Sequence, residues 1–330
     1  MITAELRRAI LAAAGHDHDP LLRPGPQPGS YTSSLPFRIN QEEQKALTER
    51  LRTEPWIATA EIDGYLTVTV THDALATEAV RITEAGPACA ASDALAGRTT
   101  PGPARTDLTA APDWPSARAA LAVQLTARLA ATAGATIIFL AERTVVPPPA
   151  PSPVPAAVAY AGLDAVRFAL AATPPGGAPP KAEVIARHVL DNPAYAVRYA
   201  HAAAAAVLRW AASLDSGPRG FRPRLLTAPP ELALLDALSW LPERVAMAAR
   251  RGRPDEFAGY LAELAARTID TMSTTGFTTI SSISSERLWL ADAARTGLAG
   301  RRAGLAAGAS GLRRATDRPS GRRRGRHRFS

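Results

Sequence analysis

Tyr195, Arg198, Tyr199 and Arg209 sit in one stretch, residues 192–213, with a spacing that supports a definite chemistry. At about 100° per residue, Tyr195, Tyr199, Ala202 and Ala206 share one side of a helix, flanked by Arg198 and Arg209. Aromatic rings beside guanidinium groups can stack unpaired bases and hold phosphate. The same pair of rings also fits two half-buried helix tyrosines with wet hydroxyls, since tyrosine is commonly intermediate in burial. Val197, His201, Ala204 and Leu208 form a separate stripe, the expected core face, so His201 is read as a packed, hydrogen-bonded histidine. Other chemistry-bearing residues carry weaker signals. His16 and His18 in "GHDHDP" are short-spaced histidines in a polar loop and read as solvated rather than metal-binding. Cys89 lies in an Ala/Gly/Pro-rich stretch without a nearby base and reads as inert.

The element that must carry the tyrosines is well marked. Asn192 is a good N-cap, because its side-chain oxygen can accept a backbone N–H of the first turn. Pro193 follows at the first helical position, where its missing N–H costs nothing. Nothing breaks the helix before Ser213. Around it, 330 residues with 46% hydrophobic content suffice for two or so domains with real cores. One cysteine excludes an internal disulfide framework and fits a reducing compartment. No apolar run approaches the ~20 residues of a membrane span. The N-terminal stretch is an amphipathic helix containing Glu5 rather than a signal peptide, so a cytoplasmic location is expected.

Charge is unevenly placed. Residues 301–330 contain ten arginines against Asp317, a net of +9 in a chain of +8, which leaves −1 for residues 1–300. Bulk charge therefore gives no case for nucleic-acid binding by the body, and any such case must rest on local geometry.

Residues 1–84 read as a small α+β unit. A helix near Thr3–Ala14 precedes the loop "RPGPQPG", the extended segment "YTSSLPFRI", a helix near Gln41–Arg52, and alternating runs around Asp63-Gly64 that signal a hairpin. Residues 85–155 read as irregular up to Pro112. A helix from Trp114-Pro115 to about Thr132 follows, then a buried strand in "ATIIFLAE" and the stiff linker "VVPPPAPSPVP". Residues 156–299 read as a helical bundle with segments near 157–172, 181–190, 193–213, 230–250, 254–275 and 285–298. Gly252 and Pro254 punctuate one junction, and Pro242 should kink or split its helix. Residues 300–330 lack apolar periodicity and read as a basic disordered tail. The expected fold is mainly α, with a small α+β N-terminal domain.

"LDAVRFAL" at 163–170, "NPAYAVRYAHA" at 192–202 and "ELALLDALSWLPERVAMAA…FAGYLAELAARTIDTM" at 231–272 occur in an order and spacing that closely resemble the anticodon-binding domain of arginyl-tRNA synthetases. That domain is named for an Asp-Ala-Leu-Arg motif, here Asp164-Ala165-Val166-Arg167. "GSYTSSLPFRI" and the hairpin after it resemble the added N-terminal domain of the same enzymes. The likeness implies an anticodon-arm contact through Tyr195, Arg198, Tyr199 and Arg209. It also implies an elbow contact through Tyr31, Ser33 and Arg38, and structural roles for Asp164, Arg167, Asn192 and His201.

The departures from the family are as informative. A catalytic Rossmann domain needs several βαβ-type units of ~30 residues, whereas 85–155 offers one helix and one strand. The His-x-Gly-His and Lys-Met-Ser-Lys signatures are missing, and Lys45 and Lys181 are the only lysines. Within the tyrosine helix, Ala196, Arg198 and Ala203 stand where the family has Tyr, Gln and Arg. After Ala299 the family's apolar last helix and short end give way to Arg/Gly/Ala/Pro sequence. The resemblance thus implies a stand-alone, non-catalytic paralogue that binds tRNA, arginine tRNA first, without cofactor or metal. The alternatives are an interaction module docking on a full-length synthetase or a metabolic enzyme, and a retained arginine–tRNA ligase activity for which no residues are found.

Overall fold

The computed structural model describes residues 1–15, 19–102, 106–139, 153–275, 277 and 283–299. The expected disordered tail lies outside the described residues, as do His16, His18 and most of the expected Pro-rich linker; the linker expectation is corrected at its end, where 153–155 open a helix.

The N-terminal unit comprises α1 (Ile2–Ala14), β1 (Arg23–Pro24), β2 (Ser30–Ser33), α2 (Gln41–Arg52), β3 (Ile57–Asp63), β4 (Tyr65–Val70) and α3 (His72–Ala85). Its strands form one antiparallel sheet in the order β1-β2-β4-β3. Helix α2 starts where a reciprocal capping box forms. The Asn40 side chain accepts from the Glu43 N–H, and the Glu43 carboxylate accepts from the Asn40 N–H. The β3–β4 hairpin turns at Gly64, whose φ of 69° suits glycine. Along β4 the alternation buries Leu66, Val68 and Val70 against Leu6, Leu47, Leu51 and Leu75.

The described residues between 85 and 139 are better organised than their composition suggests. Strands β5 (Thr99–Gly102) and β6 (Thr136–Phe139) pair in parallel around α4 (Trp114–Thr132), a single βαβ unit. A Cβ at Gly102 would meet the Ala127 Cβ at 2.2 Å, so the strand packs on the helix only because that residue is glycine. The expectation of a buried strand is corrected. Ile138 and Phe139 are 55% and 69% exposed in a sheet that, among the described residues, has two strands and packs on α4.

The remaining described elements are all helical: α5 (Pro153–Ala161), α6 (Leu163–Ala172), α7 (Ala182–Ile185), α8 (Pro193–Ser213), α9 (Pro229–Ser239), α10 (Leu241–Arg251), α11 (Pro254–Thr274) and α12 (Ser285–Ala299). Pro242 splits a helix as expected, falling in the first turn of α10 after a break at Trp240. The segment expected at 157–172 is two helices bent by 118°, because Gly162 takes φ 86° between them. No single described helix is long and apolar enough to cross a membrane.

The N-terminal unit and the bundle share one continuous apolar core. Tyr31 from β2 lies 5.2 Å, centroid to centroid, from Trp240, and its hydroxyl meets the Ser239 Oγ at 2.9 Å. The Gly29 N–H donates to Asp236, and the Thr3 hydroxyl donates to the Ser239 carbonyl. A largely buried ion network closes the same seam. Asp19 pairs with Arg7 and with Arg250 at 2.6 Å each, and Arg7 also reaches Glu243 at 3.4 Å.

Burial raises the pKa of both Glu243 and Glu78, against the opposing pull of nearby cations, Arg7 for Glu243 and the N-terminal ammonium followed by Arg81 for Glu78. A carboxyl with a raised folded pKa keeps its proton in the fold while the unfolded chain has lost it. Its contribution thus favours folding at low pH and is lost as pH rises from 4.5 through the raised value. In Glu78→Gln, unfolding free energy should decline less steeply over that rise than in the parent, while Arg81 keeps its 2.7 Å contact with Glu5. Denaturant titrations at a series of pH values measure this, and identical slopes would show that Glu78 titrates normally.

Candidate nucleic-acid interface

Helix α8 begins as its sequence dictates. The Asn192 Oδ1 accepts the Ala194 N–H, and Pro193 occupies the first turn. The side-chain amide does a second job. Its Nδ2 donates to the carbonyls of Ile185 at 2.9 Å and Arg187 at 2.6 Å, folding the α7–α8 loop back onto the helix start. That loop carries His188, and the fold-back sets its ring on Tyr195.

A three-ring stack results. The His188 and Tyr195 rings lie 5.3 Å apart at 14°, and Tyr195 and Tyr199 lie 5.9 Å apart at 28°. Tyr199 is 44% exposed, Tyr195 is half-buried, and Arg198 and Arg209 are both exposed. Helix α8 carries no acidic residue, so no carboxylate on the helix competes for the two guanidinium groups. The stack therefore offers flat π-faces at the surface, with cations alongside.

The buried side of α8 differs from the sequence expectation. Its centre is Ala196, Ala200, Ala204, Val207 and Ala211 rather than the stripe Val197–His201–Ala204–Leu208. Alanines allow α11 and α12 to approach closely, and the larger Val197, His201 and Leu208 move to the flanks, half-buried. His201 thus flanks the core rather than sitting on its axis, and it is not without interactions.

The other residues singled out by sequence are dispersed. Arg167 on α6 is 1% exposed and donates to the Gln124 Oε1 on α4 at 2.9 Å, tying the bundle to the βαβ unit. Burial pulls its guanidinium below the ordinary value, Arg128 adds to this, and Asp164, exposed one turn earlier, opposes it. Tyr31 is 1% exposed in the seam, and Ser33 is 1% exposed within the N-terminal unit. The expectation that they face an RNA is corrected: the Tyr31 hydroxyl is engaged by Ser239, and the Ser33 hydroxyl by the Pro20 carbonyl. Arg38 is exposed, next to a surface pair in which Phe37 meets Tyr65 edge-on at 5.1 Å. Among the described residues no cluster of three or more His, Cys, Asp or Glu side chains could hold a metal ion.

Two surface residues escaped the sequence reading. His188 had no periodic signal, because only the Asn192 contacts bring it over Tyr195. Trp210 is 53% exposed and was findable by the same angular spacing that picked out the tyrosines.

Comparison with known proteins bears on this helix. Residues 197–299 match the DALR anticodon binding domain. The chain is 39% identical over 117 residues to an arginine–tRNA ligase of Clavibacter sepedonicus, covering 34% of this chain and 21% of that protein. It is 35% identical over 142 residues to the arginine–tRNA ligase of Renibacterium salmoninarum, covering 41% and 26%. It is also 35% identical over 147 residues to that of Kineococcus radiotolerans, covering 42% and 26%. The matched stretches span 21–26% of the length of these relatives.

Proposed function

We propose that this chain binds tRNA through the anticodon arm, and that it does so without catalysing aminoacylation. The observation that carries the reading is the solvent-facing stack of His188, Tyr195 and Tyr199 beside Arg198 and Arg209; Arg198, Tyr199 and Arg209 lie within the region matching an anticodon-binding domain, and His188 and Tyr195 immediately precede it. Unpaired bases would stack on the rings while the arginines neutralise phosphates. Arginine tRNA is the first ligand to test, because the relatives are arginine–tRNA ligases. A secondary contact from the N-terminal unit would use Arg38 with Phe37 and Tyr65, the exposed members of that surface. The cytoplasm, where tRNA is used, is the proposed location.

The non-catalytic part of the proposal rests on what lies before the bundle. Among the described residues one βαβ unit stands between the two regions, and neither ATP-site signature occurs in the sequence. Adenylate formation needs positioned cations around the transferring phosphate. Purified protein is expected to show no arginine-dependent ATP–pyrophosphate exchange. Exchange above a contaminant-controlled background would overturn this part.

A second reading has its own support. Val189 and Leu190 at one end of α8 and Leu214 at the other are 48–55% exposed, and apolar surface of this kind also suits a protein partner. The partner would be a full-length synthetase or a metabolic enzyme. A salt-titrated tRNA shift assay separates the two. RNA binding falls steeply with salt, by about 0.7–0.9 log units of affinity per log unit of salt for each phosphate neutralised. An undetectable shift at low salt would favour the protein partner.

A further inference from the structure

Trp210 is the most exposed tryptophan of the chain; Trp240 is buried, and Trp56, Trp114 and Trp289 are half-buried. Trp210 thus presents its indole to solvent on the outer side of α8. Its position relative to the tyrosine stack is specific. At about 100° per residue, Trp210 falls within about 20° of Tyr199 around the helix, with Tyr195 about 40° to the other side. At about 1.5 Å per residue it lies roughly 16 Å further along the axis. Arg209 repeats the same offset from Arg198, so the two arginines share one edge, about 80–100° from Tyr199. Between the tyrosines and the tryptophan this face of the helix holds only Ala202, Ala203 and Ala206, the first exposed and the other two half-buried.

Two parallel rows result, one aromatic and one basic, running the length of α8. We propose that Trp210 is a second base-stacking station, and that α8 binds a continuous run of unpaired nucleotides rather than one or two bases at its start. The inference rests on the RNA-binding reading given above and extends it in substrate class. A stacked strand advances about 3.4 Å per nucleotide, so the gap from Tyr199 to Trp210 takes about five steps, fewer if the strand is extended. The alanine floor leaves room for the intervening bases, and Arg198 and Arg209 lie where the phosphates of such a strand would pass. Charge favours a nucleic acid over an acid-poor apolar peptide, because the basic row runs beside the rings at both ends.

The test uses the full chain with single-stranded RNAs of about three and about eight nucleotides and with tRNA, one strand shorter than and one within the roughly 4–16 nucleotides of sites for sequence-tolerant strand binding. Trp210→Ala is expected to weaken the longer RNA by about 5- to 150-fold, the loss for one base stacked on an aromatic ring. It should leave the shorter RNA nearly unchanged, since that strand is too short to reach both stations and is held at Tyr199. Trp210→Phe should recover most of the affinity. Tryptophan fluorescence of the parent should quench on binding the longer RNA, and Trp210→Phe should abolish the quench. If Trp210→Ala binds the longer RNA as the parent does while Tyr199→Ala does not, the second station is refuted and the anticodon-arm reading stands. If neither RNA nor tRNA binds the parent, both fall together.

Discussion

Tyr31→Ala is expected to destabilise the protein by about 3–5 kcal/mol, the cost of truncating a fully buried aromatic side chain. The ring is 1% exposed, packs on Trp240 at 5.2 Å, and anchors the sheet to the bundle through the Ser239 hydroxyl. Removing it leaves a cavity at the seam and takes a hydrogen-bond partner from Ser239, which still donates to the Asp236 carbonyl. Tyr31→Phe should cost only about 0.5–1.5 kcal/mol, the net value of one hydrogen bond. Because the N-terminal unit and the bundle share one core, urea unfolding should remain a single transition whose midpoint falls. Two separated transitions, or a loss for Tyr31→Ala no larger than for Tyr31→Phe, would show that the two units fold independently of this contact.

The second large effect is on binding. Tyr199→Ala should weaken tRNA affinity by about 1–3 kcal/mol, or roughly 5- to 150-fold. Stability should fall by no more than about 0.5–1.5 kcal/mol, the value of the ring contact with Tyr195, partly offset because alanine is the better helix former. Arg198→Ala should act differently. It should flatten the salt dependence by about one phosphate contact and cost less affinity at moderate salt. Parallel titrations and melts on both variants measure these outcomes. A Tyr199→Ala protein that binds tRNA like the parent would remove the stack from the interface.

Local signals were legible where local chemistry decides the outcome. Asn192 with Pro193 started α8, Asp63-Gly64 turned the hairpin, and Pro242 split α9 from α10, each within a few residues of its cause. Outcomes set by distant partners were not legible. The rotation of α8 depends on α11 and α12, which select its alanine face over the bulkier Val197–Leu208 stripe. The burial of Tyr31 follows from the bundle docking on β2, a contact across more than 200 positions of sequence, and Ser33 is engaged by the Pro20 carbonyl within the N-terminal unit. Strand β5, with Pro101 and Gly102 in its second half, has little strand character and exists because α4 and β6 hold it. Half of the candidate interface was readable from helical spacing, Trp210 included. His188 was not, because a side-chain amide elsewhere in the loop puts it there.

Chemical footprinting of arginine tRNA, with and without the full chain, tests the central claim most directly. If the aromatic and basic rows of α8 hold the anticodon arm, the unpaired nucleotides of the anticodon loop become protected, and Tyr199→Ala abolishes that protection while the protein stays folded. Protection confined to other parts of the tRNA, or loop protection unchanged in Tyr199→Ala, would contradict it.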